Sequence, residues 1–456
     1  MLEAAKQMED LPQRLQYLVN SQDRYGDFLW KVFSDAFIYS AERIPEIADR
    51  IVEIDRAMRW GYAHKYGPFE LWDALGFEAV CRRLESEGRA LPENIVRVRE
   101  AGAKSLYRHA DAGGKPRTEY LDFGKTKFTP LEDRPGVIVL SDLKRARNEV
   151  KCNPGASLLD LGDGVFCVEF HSKMNSLGED NFAMMQAGVA YAADNGQALV
   201  IANQGSDFSV GANLMMVLLA AQEEEWDELN FAINRFQQVN MAMKYAPVPV
   251  VVAPFGRTLG GGTEIALHAA RCQASAETYM GLVEVGVGLI PGGGGCKELL
   301  MRLRDPRRVF ELVGMAKVST SAEDARKLGL LNKADHISMN PERLVGDAKD
   351  LAVSLVKEYA PGQPRTDIKV GGESAFAMLK LGAWTMRQGG YISDFDVVVA
   401  EKLAYILAGG RLTGEQTVTE QYLLDLEREA FLSLCGQPKA QERMQHTLKT
   451  GKPLRN

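Results

Sequence analysis

The stretch LGGGTEIALHAARCQASAETYMGLVEVGVGLIPGGGG, residues 259–295, decides how the rest of the chain is interpreted. It follows the apolar run 250–253, which predicts a buried strand, and its glycines 260–262 open a helical pattern. Unpaired N–H groups at a helix start, exposed by glycine, suit an anion or a developing oxyanion. Glu264 falls in the first helical turn, and Glu284 precedes the second glycine run. These features predict an acid/base site for a carbonyl substrate. The alternative is a glycine-rich turn with two surface glutamates.

Three segments of this region carry a resemblance to a known family. They are LGGGTE at 259–264, GLVEVGVGLIPGGGG at 281–295 and, earlier in the chain, FSVGANL at 208–214. In this order they resemble the crotonase (enoyl-CoA hydratase/isomerase) superfamily, over roughly residues 155–340. The resemblance implies an α/β crotonase fold, in which repeated ββα units form a spiral sheet.

The same resemblance implies roles for individual residues. Glu264 and Glu284 match the two carboxylates with which hydratases of the family deprotonate water and handle the α-proton. Ala212 and Gly261 match the two N–H donors of the oxyanion hole, which stabilises the enolate oxygen of a thioester. Further substrate-binding residues are expected next to these positions and at the turn after the second predicted strand of the core: Lys173, Asn175, Val210, Gly211, Gly260 and Gly262. For Lys173 the alternative is an ordinary solvated lysine.

The carboxylate pair bears on the reaction class that the resemblance implies. With both carboxylates present, the expected reaction is hydration of a trans-2-enoyl-CoA to a 3-hydroxyacyl-CoA in fatty-acid β-oxidation. Isomerases of the family generally keep only the second carboxylate, so a Δ3-Δ2 enoyl-CoA isomerase is one alternative. A non-catalytic scaffold subunit that binds CoA thioesters is another.

The N-terminal region carries a second resemblance. The segment EIADRIVEIDRAMRWGYAHKYGPFELWDALG, residues 46–76, resembles the helical C-terminal domain of 3-hydroxyacyl-CoA dehydrogenases. In bacterial multifunctional β-oxidation proteins this domain can be followed by a crotonase module. No GxGxxG turn follows a predicted strand here, so we expect neither a Rossmann domain nor NAD binding nor dehydrogenase activity from this chain. We therefore expect a C-terminal portion of a larger enzyme or a natural short form.

Breaks in the helical and strand patterns suggest the domain boundaries. We predict an all-α domain over residues 1–112, a linker over 113–154, the crotonase core over 155–340 and a C-terminal helical extension over 341–456. Glycine and proline clusters mark the breaks between these parts.

Composition excludes several classes of function. The net charge is −7 and no basic block stands out, which argues against binding to nucleic acid or to acidic membranes. Six cysteines without CxxC spacing indicate reduced thiols in a cytoplasmic protein and no metal site. No apolar run is long enough for a transmembrane helix. We expect no cofactor apart from the CoA of the acyl-CoA substrate, and the resemblance implies a homo-oligomer or a β-oxidation complex as the assembly.

Overall fold

The helical pattern of the N-terminal region folds as helices in the computed structural model, which describes residues 2–8, 10–111 and 116–456. These helices are α1 (Leu2–Gln7), α2 (Leu11–Val19), α3 (Arg24–Glu42), α4 (Ile51–Tyr62), α5 (Pro68–Leu75), α6 (Phe77–Ser86) and α7 (Glu93–Glu100). An antiparallel sheet follows, formed in this order by β1 (Tyr107–Asp111), β2 (Pro116–Asp122) and β3 (Lys127–Pro130). Together these elements make one compact unit, residues 1–134.

Aromatic residues fill the interior of this first unit. Phe37 stacks on Trp72 with ring centroids 5.1 Å apart, and Phe69 meets Phe123 edge to face at 6.0 Å. All four side chains are buried. Because Phe123 directly follows β2, this interior joins the sheet to the helices.

The boundaries of the first unit differ from the predicted ones. Residues 116–130 contain β2 and β3 rather than linker, and the division falls between Arg134 and Pro135. The strands were hard to predict because they are short and polar, so that hydrophobic alternation is weak. Residues 112–115, where the linker was predicted to begin, lie outside the described residues.

Two aspartates tie the helices of the first unit to one another and to the sheet. Asp55 Oδ1 accepts the N–H of Phe69 at 2.8 Å, and its Oδ2 accepts the hydroxyl of Tyr107 at 2.7 Å and the N–H of Glu70 at 3.2 Å. Both oxygens of Asp73 accept backbone N–H groups from the start of β1. Burial, together with nearby Glu70, raises the pKa of Asp55 to about 7, and burial raises the pKa of Asp73 to about 6.

The second unit, residues 135–456, is built around a mixed sheet. Its strands are β4 (Glu149–Cys152), β5 (Ala156–Asp160), β6 (Val165–Phe170), β7 (Ala198–Ala202), β8 (Val250–Val252), β9 (Gly256–Leu259), β10 (Arg271–Ser275), β11 (Thr278–Gly281) and β12 (His336–Ser338). The main sheet has the order β12-β10-β8-β7-β6-β5-β4. Neighbouring strands from β6 to β12 are parallel, whereas the pairs β4–β5 and β5–β6 are antiparallel.

A smaller sheet accompanies the main one and gives the chain its spiral course. In it β9 pairs in parallel with β11, and Ser209 forms a parallel bridge to Thr258 of β9. After β7, β8 and β10 of the main sheet, the chain therefore passes in turn through the smaller sheet and then enters a helix. This repetition is the predicted ββα pattern, and it brings the chain back to the same place each time.

Helices accompany the strands of this unit. They are α8 (Leu140–Arg145), α9 (Glu179–Asn195), α10 (Leu214–Gln222), α11 (Trp226–Lys244), α12 (Gly261–Leu267), α13 (Gly295–Leu303), α14 (Pro306–Gly314), α15 (Ala322–Leu328) and α16 (Leu344–Leu355). Apolar side chains of α8 and α16 cover one face, and those of α9 and α11 pack on the other. Burial on both faces explains why the central strands are continuous apolar runs.

The chain after residue 356 adds more helices to the same hydrophobic core. They are α17 (Gly372–Gln388), α18 (Asp394–Leu407), α19 (Glu420–Cys435) and α20 (Pro438–Thr450), with a small antiparallel sheet of β13 (Ile368–Val370) and β14 (Gln416–Val418). Helix α19 packs against α11 and α13, and α20 packs against α10. Within the described ranges, no helix has both the length and the apolar character needed to cross a membrane.

Candidate active site

Glu264 is held by the second glycine run. It lies in the first turn of α12, is 2 % exposed, and its Oε1 accepts the N–H groups of Gly293 and Gly295, each at 2.8 Å. Two N–H donors on one oxygen fix the carboxyl group in position and favour its ionised form. The glycine motif at 259–264 and the glycine run at 292–295, which form the two ends of the stretch 259–295, therefore meet in space.

Glu284 lies against the first glycine run. It begins the short 3₁₀ helix Glu284–Val287, and a Cβ atom at Gly260 would lie 3.0 Å from its Oε1. Gly260 also has φ of +52°, a conformation in which a side chain is unfavourable. The other oxygen, Oε2, is buried and has no hydrogen-bond partner among the described residues. A buried polar atom without a protein partner is uncommon and leaves an acceptor that a bound ligand or water can use.

Burial and neighbouring groups shift the pKa of both carboxyl groups. Burial raises the pKa of Glu264, opposed by the N–H groups of Gly295 and Gly293 and by the charge of Lys297. Burial also raises the pKa of Glu284, and the nearby negative charge of Glu264 raises it further. Both groups are thus shifted toward the range in which a carboxyl can give and take protons near neutral pH.

The predicted oxyanion donors lie on adjacent segments, Ala212 in a loop and Gly261 at the start of α12. A Cβ atom at Gly211 would lie 3.4 Å from the nitrogen of Gly261, so the two segments are in contact. Leu177 brackets Ala212, because its N–H donates to the Gly211 carbonyl at 2.8 Å and its carbonyl accepts from Asn213 at 3.1 Å. The N–H groups of Ala212 and Gly261 have no acceptor among the described residues. Gly261 is the first residue of α12, where N–H groups have no partner within the helix.

The other predicted substrate-binding residues fall into two groups. Val210 and Gly262 adjoin the oxyanion donors, and a Cβ atom at Gly262 would lie 2.8 Å from Ser209 Cβ, which shows how closely the loop packs on α12. Asn175 is buried, and its amide donates to the Asp207 carbonyl at 2.9 Å, so it supports the loop that leads to Gly211. Lys173 is exposed in the same 3₁₀ turn. The binding roles of all four residues remain predictions.

A third buried carboxyl group, Glu427 on α19, was not predicted. Its Oε2 accepts the N–H of Gly294 at 3.1 Å, and its Oε1 accepts the N–H of Lys297 at 2.6 Å. Burial raises its pKa well above the usual range, and the charge of Glu264 adds to the rise. The sequence offered one signal, a glutamate inside the apolar stripe of α19.

A buried ionic cluster lies beside the second glycine run. Lys297 Nζ is 3.0 Å from Glu420 Oε2 and also contacts Glu298, and Lys244 Nζ binds the same two carboxylates at 3.1 and 2.5 Å. The two lysines and two glutamates balance in charge. Burial would lower the pKa of Lys297, but Glu298 and Glu420 outweigh burial and raise it. This cluster therefore joins α11, α13 and α19 as charged pairs.

His268 is packed between this cluster and α12. Its Nδ1 lies 2.7 Å from the carbonyl oxygen of Glu264, and its Nε2 lies 3.1 Å from Lys297 Nζ. Burial and the charge of Lys297 lower the pKa of His268 to about 3, so the ring is neutral at physiological pH. The tautomer that fits these contacts has Nδ1–H donating to the carbonyl and Nε2 accepting from the lysine.

A cavity of about 400 Å³ lies elsewhere on the second unit, against Val285 and Gly286 and helices α14, α17 and α18. Neither Glu264 nor Glu284 lines it. The candidate site is therefore defined by the two carboxyl groups and the two N–H groups, which the smaller sheet brings together, and not by this cavity.

Comparison with known proteins identifies a family model and relatives that are similar to this chain. Residues 160–359 match the family model described as Enoyl-CoA hydratase/isomerase. A Bacillus subtilis protein named "Probable 3-hydroxyacyl-CoA dehydrogenase" is 46% identical over 463 residues, covering 100% of this chain and 58% of the relative. A Rickettsia felis protein named as a fatty acid oxidation complex trifunctional enzyme is 27% identical, covering 95% of this chain and 55% of the relative. The chain thus spans somewhat over half the length of these curated relatives.

Solved structures of enoyl-CoA hydratases are also similar to part of the chain. That from Bacillus halodurans is 16% identical with a TM-score of 0.46, and covers 64% of this chain and 98% of that one. That from Bacillus anthracis is 22% identical with a TM-score of 0.40, and covers 55% and 89% respectively. The family match and the observed sheets confirm the predicted fold class, an α/β core of the crotonase type between helix-rich flanking regions. Residues 160–359 carry the match to the enoyl-CoA hydratase/isomerase family.

Proposed function

We propose that this chain is an enoyl-CoA hydratase, which adds water to a trans-2-enoyl-CoA to give a 3-hydroxyacyl-CoA. One observation carries the proposal: the buried carboxyl group of Glu264 and the half-buried Glu284, whose Oε2 atom is itself buried, lie near the N–H groups of Ala212 and Gly261, which have no acceptor among the described residues. Hydration requires a base, an acid and a place for negative charge on the thioester oxygen. This arrangement can supply all three.

The surroundings of the two carboxyl groups suggest which is base and which is acid. Glu264 accepts two N–H groups and is near Lys297, so its ionised form is the better stabilised. Glu284 has one oxygen without a partner in the described part of the chain, and the charge of Glu264 disfavours its ionisation. We therefore assign Glu264 as the base toward water and Glu284 as the acid toward the α-carbon.

In the proposed reaction, the two carboxyl groups exchange protons with water and with the substrate. Glu264 takes a proton from water while the water oxygen bonds to C3 of the substrate. The π electrons of the C2–C3 bond move toward the thioester, and the N–H groups of Ala212 and Gly261 stabilise the resulting enolate oxygen. Glu284 then gives its proton to C2. The two carboxyl groups return to their starting states by exchanging a proton through solvent.

Crotonyl-CoA tests the proposal directly. Loss of the absorbance of the conjugated enoyl thioester, with 3-hydroxybutyryl-CoA as the product in mass spectrometry, is the expected result. Conversion of a 3-enoyl-CoA without hydration of crotonyl-CoA would instead identify an isomerase. Tight binding of CoA thioesters with neither conversion would identify a scaffold subunit, and both outcomes would overturn the proposal.

We also propose a metabolic role and an assembly for the chain. Similarity to relatives with fatty acid oxidation and 3-hydroxyacyl-CoA dehydrogenase names supports a place in β-oxidation, acting on acyl-CoA thioesters in a homo-oligomer or a larger complex. Light scattering of the purified chain measures its own assembly state.

We further expect that NAD does not bind this chain, because the sequence lacks a glycine-rich dinucleotide turn after a strand. Calorimetric titration with NADH should give no measurable heat of binding. Micromolar affinity in that titration would contradict the expectation.

A further inference from the structure

One glycine-rich turn donates alternate N–H groups to two different carboxyl groups. Gly293 and Gly295 donate to Glu264, each at 2.8 Å, whereas Gly294 and Lys297 donate to Glu427 at 3.1 and 2.6 Å. The direction in which one set of N–H groups points is therefore linked to the direction of the other. A change in the contacts of Glu427 must reach Glu264 through the backbone of the turn.

The carbonyl groups of this turn are held as well. Gln237 on α11 donates to the carbonyls of Gly292 and of Leu424 on α19, at 2.8 and 2.9 Å. Asn240, one turn later on α11, donates to the carbonyl of Gly293 at 2.9 Å. Gly294 has φ of +103°, which glycine adopts readily, so the turn has little conformational preference of its own. Its shape is set by α11 and α19.

We propose that Glu427 is a positioning residue for Glu264. By accepting the N–H groups of Gly294 and Lys297, it fixes the turn so that the N–H groups of Gly293 and Gly295 point at Glu264. Helix α19 is then a working part of the site and not only a cover over the core. This inference rests on the proposed function in so far as Glu264 is taken as the base.

The direction of the pKa change separates positioning from simple charge repulsion. The charged or titratable groups near Glu264 and Glu427 are each other, Glu284, Lys297 and Cys296, with His268, Glu298, Glu420 and Lys244 beyond Lys297. If Glu427 acts by position, its loss weakens the N–H bonds that hold down the pKa of Glu264, and that pKa rises. If Glu427 acted only as a neighbouring negative charge, its loss would lower the pKa of Glu264.

Substitution of Glu427 by Leu and by Gln in the full chain tests the proposal. Leucine removes both acceptors, whereas glutamine keeps one, so the effect of E427L should exceed that of E427Q. We expect kcat/KM for crotonyl-CoA to fall on the order of 10- to 100-fold in E427L, as for other small displacements of reacting groups. The acidic limb of the pH profile should move to higher pH in both variants. Glu429 is exposed on the same helix, and E429A should match the parent in both respects.

Failure of the positioning role can be told apart from failure of the proposed function. A folded E427L with its acidic limb at or below the parental pH would overturn the positioning role, and if E427L does not fold, the same criterion applies to E427Q. If the parent itself does not hydrate crotonyl-CoA, the proposed function fails, and the inference is then tested without turnover. In that case the carboxyl resonance of Glu264 is titrated by NMR with ¹³C-labelled glutamate, assigned with E264Q. An upward shift of its pKa in E427Q would support the inference, and an unchanged or lowered pKa would overturn it.

Discussion

Buried and half-buried carboxyl groups occur in both units of the chain, but their hydrogen bonds are satisfied in different ways. In the first unit, each oxygen of Asp55 and Asp73 accepts at least one hydrogen bond from a backbone N–H or the hydroxyl of Tyr107. In the second unit, Glu284 keeps one oxygen without a partner in the described part of the chain. Burial raises the pKa in all of these groups, including Glu264.

The comparison shows that a raised pKa does not by itself mark a catalytic site. The donors of Asp55 and Asp73 belong to helix and strand starts, so these carboxyl groups complete the fold. The carboxyl group of Glu284, whose Oε2 has no partner among the described residues, lies against Gly260. The N–H of the next residue, Gly261, also lacks an acceptor there. Unused donors and acceptors that face the same place are better evidence of a substrate than the pKa shift alone.

The largest expected effect comes from removing proton transfer in the second unit. Glu264→Gln and Glu284→Gln should each lower kcat for crotonyl-CoA by roughly 100- to 10,000-fold, the usual contribution of a general acid or base. Circular dichroism should show that both variants keep the parental fold. Asp55→Asn in the first unit is the matched control, and its turnover should stay near that of the parent. Near-normal turnover in either glutamine variant would remove that glutamate from the mechanism.

The second-largest expected effect comes from removing one of the two N–H donors in the second unit. Ala212→Pro removes one oxyanion donor at an exposed position, and we expect turnover to fall roughly 100- to 1,000-fold. Ala212→Gly keeps the N–H and should retain most of the activity. CoA affinity, measured by calorimetry, should change little in both variants. Equal turnover in the proline and glycine variants would show that this N–H does not stabilise the transition state.

The smallest expected effect concerns stability in the first unit. The pKa of Asp55 is about 7 in the folded chain and about 3.9 when unfolded, so the folded form holds its proton more tightly. Between about pH 4 and pH 7 the folded state therefore binds more protons than the unfolded state, and stability falls as pH rises. Asp55→Asn should remove this dependence and cost about 1–3 kcal/mol at low pH, because its NH₂ group cannot accept the hydrogen bonds that one oxygen accepts now.

This prediction can be measured in the full chain. Urea unfolding is followed by pulsed hydrogen exchange at one fixed labelling pH, and mass spectrometry reports on peptides from α4 and α5. Peptides from the main sheet of the second unit serve as the internal control. An equally steep pH dependence in the parent and in Asp55→Asn would show that another group is responsible.

Much of the candidate site could be predicted because its residues lie in short contiguous motifs. Glu264, Glu284 and the glycines around them are close in sequence, and their chemistry depends on local backbone shape. Asn175 was less predictable, because its amide proves to be used by the carbonyl of Asp207. The contact of Glu427 with the site could not be predicted. It lies 130 residues from its partner Lys297, and helical periodicity does not reveal such a partner. The polar strands β2 and β3 were missed because their burial depends on the aromatic interior of the first unit.

Glu427 lies far along the sequence from the glycine-rich turn that it contacts. The order of synthesis therefore determines when this contact can form. Synthesis proceeds from the N-terminus, so Glu264, Glu284 and the glycine-rich turn leave the ribosome well before α19. Glu427 follows Gly294 by 133 residues, and until it arrives the turn lacks the acceptor for its alternate N–H groups. A nascent chain that ends before α19 therefore contains both glutamates without the fixed turn that donates to Glu264. Helix α19, which is synthesised after both glutamates, supplies the acceptor for these N–H groups.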